Sequence, residues 1–208
     1  MTTQELIFRK VKRAPAGKLF FVSDLGEYNS AYVSKILSLM TSYGDLERLA
    51  KGIYYKPIVT SYGTVYPTAE KIVKAIAKRE NAKILPTGET ALHALGFSTQ
   101  VPTKPVYLTT GTQRVVKVGT KTITLRRRAP SNLRYKSRLM PVLILALKAK
   151  GRDNIGANDI ERIRVLWECS DEKEAVMKDL PNAPVWIKMI LKPVFKSNNH
   201  ESVAREER

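Results

Sequence analysis

The stretch SAYVSKILSLMTSY, residues 30–43, decides the fold that the sequence predicts. Apolar side chains recur in it at a helical rhythm and would form one buried face, which consists of Val33, Ile36, Leu37 and Met40. Gly44 follows the last turn and predicts the end of the helix. The opposite face carries small hydroxyl side chains, which allow a helix to approach another molecule closely. We expect this helix to pack on one side and to bind on the other.

The elements around this helix follow the order of a winged helix-turn-helix module. The pattern predicts a helix over residues 2–12, an apolar run over residues 19–22 that leads into a brief helix, and a two-stranded hairpin over residues 46–56. The hairpin would turn at Lys51-Gly52, which would form the tip of the wing. We therefore expect a DNA-binding domain over residues 1–60. The alternative is a small helical domain with a hairpin that binds only protein.

The rest of the chain predicts a second domain. Residues 57–67 contain two prolines and indicate a linker, residues 66–196 indicate a basic domain that mixes helices and strands, and residues 197–208 indicate a polar tail. The predicted fold class is α+β, with an N-terminal winged helix-turn-helix followed by a mixed α/β C-terminal domain with a basic β-hairpin.

Two elements of this second domain have strong local signals. Residues 114–128 predict a hairpin that turns at Gly119-Thr120 and pairs Val116 with Ile123. Its apolar side chains would then lie on one face and its basic and hydroxyl side chains on the other. A helix over residues 139–150 is apolar nearly all round and is expected at the centre of the core.

The charge of the chain is large and unevenly distributed. The 208 residues include 36 Lys and Arg against 19 Asp and Glu, which gives a net charge of +17. No carboxylate lies between Glu89 and Asp153, a stretch that carries 13 Lys or Arg. A surface of one sign indicates a polyanionic partner such as nucleic acid. The alternatives are a solubilising basic face, or arginines paired with acids of the last third, such as Glu161, Glu168 or Asp171.

The candidate contacts to double-stranded DNA fall into three groups. The helix of residues 30–43 supplies Ser30, Tyr32, Ser34, Lys35 and Ser38, which we expect to reach base edges in the major groove. The hairpin of residues 46–56 supplies Lys51 and Lys56 for backbone phosphates. The basic region supplies a third set that is also expected to hold phosphates, namely Arg114, Lys117, Arg126, Arg127, Arg128, Arg134, Lys136 and Arg138.

The sequence offers little for catalysis or metal binding. Its single cysteine, Cys169, permits neither an internal disulfide nor a cysteine-based zinc site. His93 has no cysteine or carboxylate at a ligand-like spacing, and we expect it to be structural. The acids near the basic stretch are isolated from one another, so we expect no enzyme activity, no cofactor and no metal. A nuclease or recombinase-like enzyme and an RNA-binding module remain the alternatives.

The sequence also predicts a protein of the cytoplasm. The first 13 residues lack the apolar core of a signal peptide. The longest apolar run, Met140–Leu147, is far shorter than a membrane span. We therefore expect no membrane partner.

Four segments carry a resemblance to a known family. They are GIYYKP at residues 52–57, LPTGETALHALG at residues 85–96, PVYLTTG at residues 105–111 and LRRR at residues 125–128. Over most of residues 1–165 the chain resembles the AbiEi-like family of bacterial antitoxins and transcriptional regulators. The resemblance implies an N-terminal winged helix, an antitoxin domain after it, and repression of the chain's own operon through repeats in operator DNA.

The same resemblance implies a functional partner and a biological setting. The partner is a nucleotidyltransferase-like toxin encoded beside the antitoxin, in a type IV toxin-antitoxin system of the kind linked to phage defence. The toxin can be opposed with or without direct contact. The oligomeric state stays open at this point and includes a monomer that binds repeated sites.

Overall fold

The computed structural model describes residues 2–128 and 135–196. The fold is mixed α+β, as predicted. The chain divides into two compact units: unit 1 comprises residues 2–82 and 113–125, and unit 2 comprises residues 83–112, 126–128 and 135–196. This division differs from the predicted boundary near residue 60, because the helix after the expected linker and the hairpin of residues 114–125 both cluster with the N-terminal residues.

The first part of unit 1 contains two helices and a small antiparallel sheet. Its elements are α1 (Thr3–Arg13), β1 (Leu19–Phe21), a 3₁₀ helix (Val22–Leu25), α2 (Ser30–Ser42), β2 (Glu47–Ala50) and β3 (Ile53–Tyr55). The sheet has the order β1-β3-β2, so the hairpin predicted after α2 is present and is joined by the strand that precedes α2.

The core of this part forms where α1 and α2 meet the sheet. Thr2 and Glu5 form a capping box, which explains why α1 begins at Thr3. The predicted apolar face of α2 is buried together with side chains of α1 and β1. The buried cluster contains Ile7, Val11, Phe20, Leu25, Val33, Ile36, Leu37, Met40, Leu46 and Tyr54.

The expected linker is a β-hairpin. Strands β4 (Ile58–Thr60) and β5 (Gly63–Val65) pair around a two-residue turn. The Thr60 hydroxyl holds this turn, since it accepts a hydrogen bond from the Tyr62 amide at 3.3 Å and donates to the Gly63 carbonyl at 2.8 Å. The linker prediction was wrong because the two prolines flank a β-branched segment and do not interrupt it.

The rest of unit 1 consists of α3 (Ala69–Glu80), β8 (Arg114–Val118) and most of β9 (Lys121–Arg127), whose last two residues belong to unit 2. The register of this hairpin is the predicted one, with Val116 opposite Ile123. Gly119 turns the chain at φ +56°, and a Cβ there would lie 2.8 Å from the Tyr66 ring. Glycine is therefore favoured at this turn by both backbone conformation and space.

Unit 2 is mainly helical. Its elements are β6 (Ile84–Thr87), α4 (Glu89–Ala94), β7 (Val106–Thr109), α5 (Leu139–Lys150), α6 (Ala157–Glu168), α7 (Lys173–Asp179) and α8 (Val185–Lys196), with β6 and β7 antiparallel. Helix α5 buries most of its apolar side chains, as predicted for a central helix. Trp167 of α6 stacks on Phe195 of α8 with ring centroids 4.4 Å apart. Among the residues that the model describes, no helix has both the length and the apolar composition needed to cross a bilayer.

Candidate nucleic-acid interface

The outward face of α2 holds five of the predicted contact residues. Asn29 fixes the start of the helix, because its side-chain oxygen accepts hydrogen bonds from the amides of Ala31 and Tyr32 at 3.0 and 3.2 Å. The predicted residues that are exposed on this face or lie on its rim are Ser30, Tyr32, Ser34, Lys35 and Ser38. The Tyr32 side chain is 41% exposed. The helix thus presents hydroxyls and one ammonium group opposite its buried stripe.

Some hydroxyls of α2 have partners within unit 1. The hydroxyls of Ser38 and Tyr54 lie 3.2 Å apart and share a hydrogen bond, which links α2 to β3. Thr41 and Ser42 donate to carbonyl oxygens of the preceding turn of the helix. These three hydroxyls lie in the C-terminal half of α2. The polar side chains available to a ligand are therefore those of the N-terminal half, among them Ser34 and Lys35.

The turn between β2 and β3 is short and anchored. Gly52 adopts φ +73°, and its carbonyl accepts a hydrogen bond from the Val22 amide at 3.1 Å. Lys51 is exposed at this turn and has no ion-pair partner among residues 2–128 and 135–196. The hydrogen bond therefore fixes the backbone of the turn beside the 3₁₀ helix that leads to α2, and the exposed Lys51 side chain extends from it.

Lys56 has a different role from the predicted one. Its ammonium group donates three hydrogen bonds, to the carbonyl oxygens of Val11, Lys12 and Ala14 at 3.2, 2.7 and 2.7 Å. All three of its N–H donors are used at the C-terminal end of α1, where the helix dipole favours a cation. Lys56 therefore caps the C-terminal end of α1, and its ammonium group is not free for the predicted contact with a phosphate.

Arg114 is also held within unit 1. Its guanidinium pairs with Glu80, and both side chains are only about one-fifth exposed. The Nε atom of Arg114 is buried and has no hydrogen-bond acceptor among the described residues. The structure therefore gives Arg114 a packing role between β8 and the end of α3. Lys117, three residues further along β8, remains exposed.

A cleft of about 600 Å³ lies between the β2–β3 turn, the start of α2 and the end of α3. Its polar lining includes Ser23, Ser30, Lys51, Arg79 and Arg114. Arg79 donates from Nε to the Ser23 hydroxyl at 2.8 Å and lies 3.3 Å from the Asp24 carboxylate. Local sequence patterns missed Arg79, because only tertiary folding brings the end of α3 next to this turn.

Unit 2 carries an exposed run of three arginines, and their contact with phosphate stays a prediction. Arg126, Arg127 and Arg128 are all exposed, and no ion pair with a described acid is found for them. The Arg128 amide donates to the Thr109 carbonyl at 2.9 Å, which fixes the backbone at the end of the run. Arg134 lies outside the described residues.

The two basic residues that precede α5 contact acids of the last third of the chain. The Lys136 amide donates to Asp179 at 2.9 Å, while its side chain stays exposed. Arg138 pairs with Glu172, which also accepts the Arg138 amide at 2.6 Å. These hydrogen bonds, first from the amide and then from the guanidinium, lower the pKa of Glu172. Arg138 therefore follows the ion-pair alternative, through a different acid from those named above.

The described part of the chain gives no candidate metal centre. No cluster of three or more His, Cys, Asp or Glu side chains with the spacing of a metal site occurs there. His93 is exposed at the end of α4. Cys169 is free and exposed.

A comparison with protein-family models gives one result. The model described as a family of unknown function, DUF6088, matches residues 6–175. The chain belongs to the DUF6088 family. A search of curated proteins found no match. The region shared with DUF6088 begins in α1 and ends in α7, so it includes every predicted contact residue.

Proposed function

We propose that this DUF6088 protein binds double-stranded DNA, and that α2 enters the major groove. One observation carries the proposal: α2 buries a complete apolar face and presents Ser34 and Lys35 on the other side, near its capped N-terminal end. Small hydroxyls and an ammonium group are suited to base edges and phosphates, and a Lys side chain recognises guanine O6 and N7.

The order of elements in unit 1 supports this function. A helix, a strand, a brief helix, α2 and a β-hairpin follow one another, and the first strand completes a three-stranded sheet. This is the order of a winged helix-turn-helix, in which the last helix of the helical part is the recognition helix. Lys51 at the hairpin turn and Lys117 on β8 are the exposed cations of the same unit that we assign to backbone phosphates.

The net charge of the chain supports a contribution from unit 2. Arg126, Arg127 and Arg128 are consecutive, exposed and without acidic partners among the described residues. Guanidinium groups of this kind hold phosphate oxygens in bidentate fashion. We assign them a contact that adds affinity and salt dependence but no sequence preference.

The biological role that we propose follows from the resemblance to AbiEi-like proteins. The protein would repress its own operon by binding operator DNA, and would oppose a nucleotidyltransferase-like toxin, with or without direct contact. Expression of the neighbouring reading frame alone should then inhibit growth, and co-expression of this chain should restore it. If expression of the neighbouring reading frame does not inhibit growth, the antitoxin part of the proposal is contradicted and the DNA-binding part is unaffected.

The DNA-binding proposal is tested by selection from a random duplex library, followed by fluorescence anisotropy on the enriched sequence. Lys35→Ala should weaken binding to that sequence by about tenfold or more and relax preference at one or two base pairs. Lys74→Ala is the matched control, because Lys74 lies on α3 with a 74% exposed side chain and, among the described residues, pairs with Glu70 of the same helix.

A duplex RNA competitor separates DNA binding from RNA binding. The deep, narrow major groove of A-form RNA does not admit a helix, so we expect RNA to compete only as a polyanion and only at low salt. Equal competition by RNA and DNA at physiological salt would contradict the assignment of α2. Magnesium-dependent nicking of supercoiled DNA by the pure protein would favour an enzyme instead.

A further inference from the structure

The cleft at the start of α2 gathers polar groups from four separate elements of unit 1. They are Ser23 of the 3₁₀ helix, Ser30 of α2, Lys51 of the β2–β3 turn and Arg79 of α3. The volume of about 600 Å³ is large enough to admit a charged group together with the atoms bonded to it. The fold thus places two hydroxyls and two cations at one concave site.

Two contacts hold Arg79 at this cleft. Its Nε atom donates to the Ser23 hydroxyl at 2.8 Å, and its Nη1 atom lies 3.3 Å from a carboxylate oxygen of Asp24. The other oxygen of Asp24 accepts the Phe21 amide at 2.9 Å, so the acid is itself anchored. A guanidinium has five N–H donors, and the contacts of Arg79 among the described residues use two of them. Because its side chain is 39% exposed, Arg79 offers preorganised donors to a ligand.

The β2–β3 turn brings a second cation to the same cleft. The Gly52 carbonyl accepts the Val22 amide at 3.1 Å. Ser23, the next residue of the 3₁₀ helix, accepts the hydrogen bond from Arg79. Lys51 is exposed at the turn, and no acid among residues 2–128 and 135–196 pairs with it. Lys51 and Arg79 therefore lie next to the same short segment of chain.

The charges at the cleft leave one positive charge in excess. Arg114 lines the cleft and pairs with Glu80. Arg79 pairs with Asp24, whereas Lys51 has no acidic partner in the described part of the chain. A phosphodiester group carries one negative charge, and proteins bind it with cations and hydroxyls. The cleft therefore fits a single phosphate of a nucleic acid.

The start of α2 places the cleft beside the groove that this helix is proposed to enter. Ser30 is the first residue of α2, and it belongs both to the cleft and to the rim of the outward face. A helix with its side chains is about 10–12 Å wide and the major groove is about 12 Å wide, so phosphates lie along both sides of a helix in this groove. A group on the rim of the first turn can therefore reach a phosphate at the edge of the groove.

We propose that this cleft binds one backbone phosphate at the edge of the major groove, through Arg79, Lys51 and the hydroxyl of Ser30. The inference rests on the proposed function of α2. It adds a contact from α3, which lies outside the residues 1–60 expected to form the DNA-binding domain. Because a phosphate carries no sequence information, the contact contributes affinity and fixes the position of α2 in the groove without selecting bases.

Substitution of single phosphates by methylphosphonate tests the proposal on the duplex that the random library enriches. A methylphosphonate is uncharged, so each substitution removes one phosphate from the electrostatic contact. The loss of one contact should weaken binding by the wild type by about fivefold at about 0.15 M salt, as a log–log slope of about −0.9 implies. At one position this penalty should disappear in both Arg79→Gln and Lys51→Gln, because the contact is already lost.

Lys78→Gln is the matched control. Lys78 precedes Arg79 on α3, is exposed and does not line the cleft, so its substitution removes the same charge from the same turn and should retain every penalty. A purely structural role of Arg79 would weaken binding to every duplex and leave the penalties unchanged. Lys51→Gln tests the site even if Arg79→Gln loosens the 3₁₀ helix, and thermal melting reports whether each variant is folded.

The outcomes separate this site from the function on which it rests. One position whose penalty is lost in both cleft variants and retained in Lys78→Gln supports the site. If no position loses its penalty in both variants, or if Lys78→Gln loses the same one, the cleft does not bind phosphate, and sequence-selective binding through α2 is unaffected. If the library enriches no sequence, the proposed function is contradicted and the assignment of the cleft falls with it.

Discussion

Replacement of Lys56 by methionine separates the role that the structure gives this residue from the role that the sequence predicts. Methionine retains the aliphatic stem and removes the ammonium group that donates to the carbonyls of Val11, Lys12 and Ala14. A hydrogen bond to a charged group contributes about 1.5–3 kcal/mol, and a cation at a helix C-terminus contributes up to about 2 kcal/mol. These contributions overlap and the site is partly exposed, so we expect the free energy of unfolding to fall by about 2–3 kcal/mol.

Urea denaturation followed by circular dichroism measures this change, and a thermal melt should show Tm lower by roughly 4–12 °C. Lys51→Met is the matched control, because Lys51 is exposed at a turn and has no ion-pair partner among the described residues. The Lys56→Met protein should keep the salt dependence of DNA binding of the wild type. The reasoning is refuted if stability is unchanged and the log–log salt slope falls by about 0.9, the value for a single phosphate.

Three further predictions concern the other features. Replacement of residues 126–128 by alanine should reduce the log–log salt slope by up to about 0.9 for each phosphate that the arginines neutralise, while the preferred sequence stays the same; an unchanged slope in a titration with salt would exclude the run from the interface. Glu172 has a lowered pKa in the folded chain, so its contribution to stability is present above its unfolded pKa and is lost as pH falls through the folded pKa. Arg138→Gln should therefore reduce the loss of stability in acid melts, and identical acid profiles would contradict the pair. Gly119→Ala should destabilise unit 1 by about 1 kcal/mol or more in urea, since it strains the turn and meets the Tyr66 ring; full stability would contradict this geometry.

The elements that could be predicted from the sequence are those whose pattern of apolar residues is periodic and local. The apolar stripe of α2 and the alternation in β8 and β9 each repeat over several residues, so the helix start and the strand register follow from them. Hairpin β4–β5 has only three residues in each strand, which is too short for a clear period, and its flanking prolines suggest a linker. Tertiary contacts at its base stabilise it.

The partners of the charged side chains could not be predicted from neighbouring residues in the sequence. Lys56 contacts carbonyls more than 40 residues earlier in the chain, and Arg114 meets Glu80 across a comparable separation. Nothing in the residues next to either position indicates such a partner. The sequence can therefore predict that the middle of the chain is basic, but only the fold decides which cations face solvent and which ones cap a helix or pair with an acid.

Methylation interference on the selected duplex tests the central claim most directly. The N7 atom of guanine lies in the major groove, where we place α2 and Lys35. We predict that N7 methylation of one or more guanines in the selected sequence prevents binding by the wild type, and that Lys35→Ala reduces this interference. Binding that tolerates methylation at every guanine N7, or interference confined to minor-groove positions, would contradict the placement of α2 in the major groove.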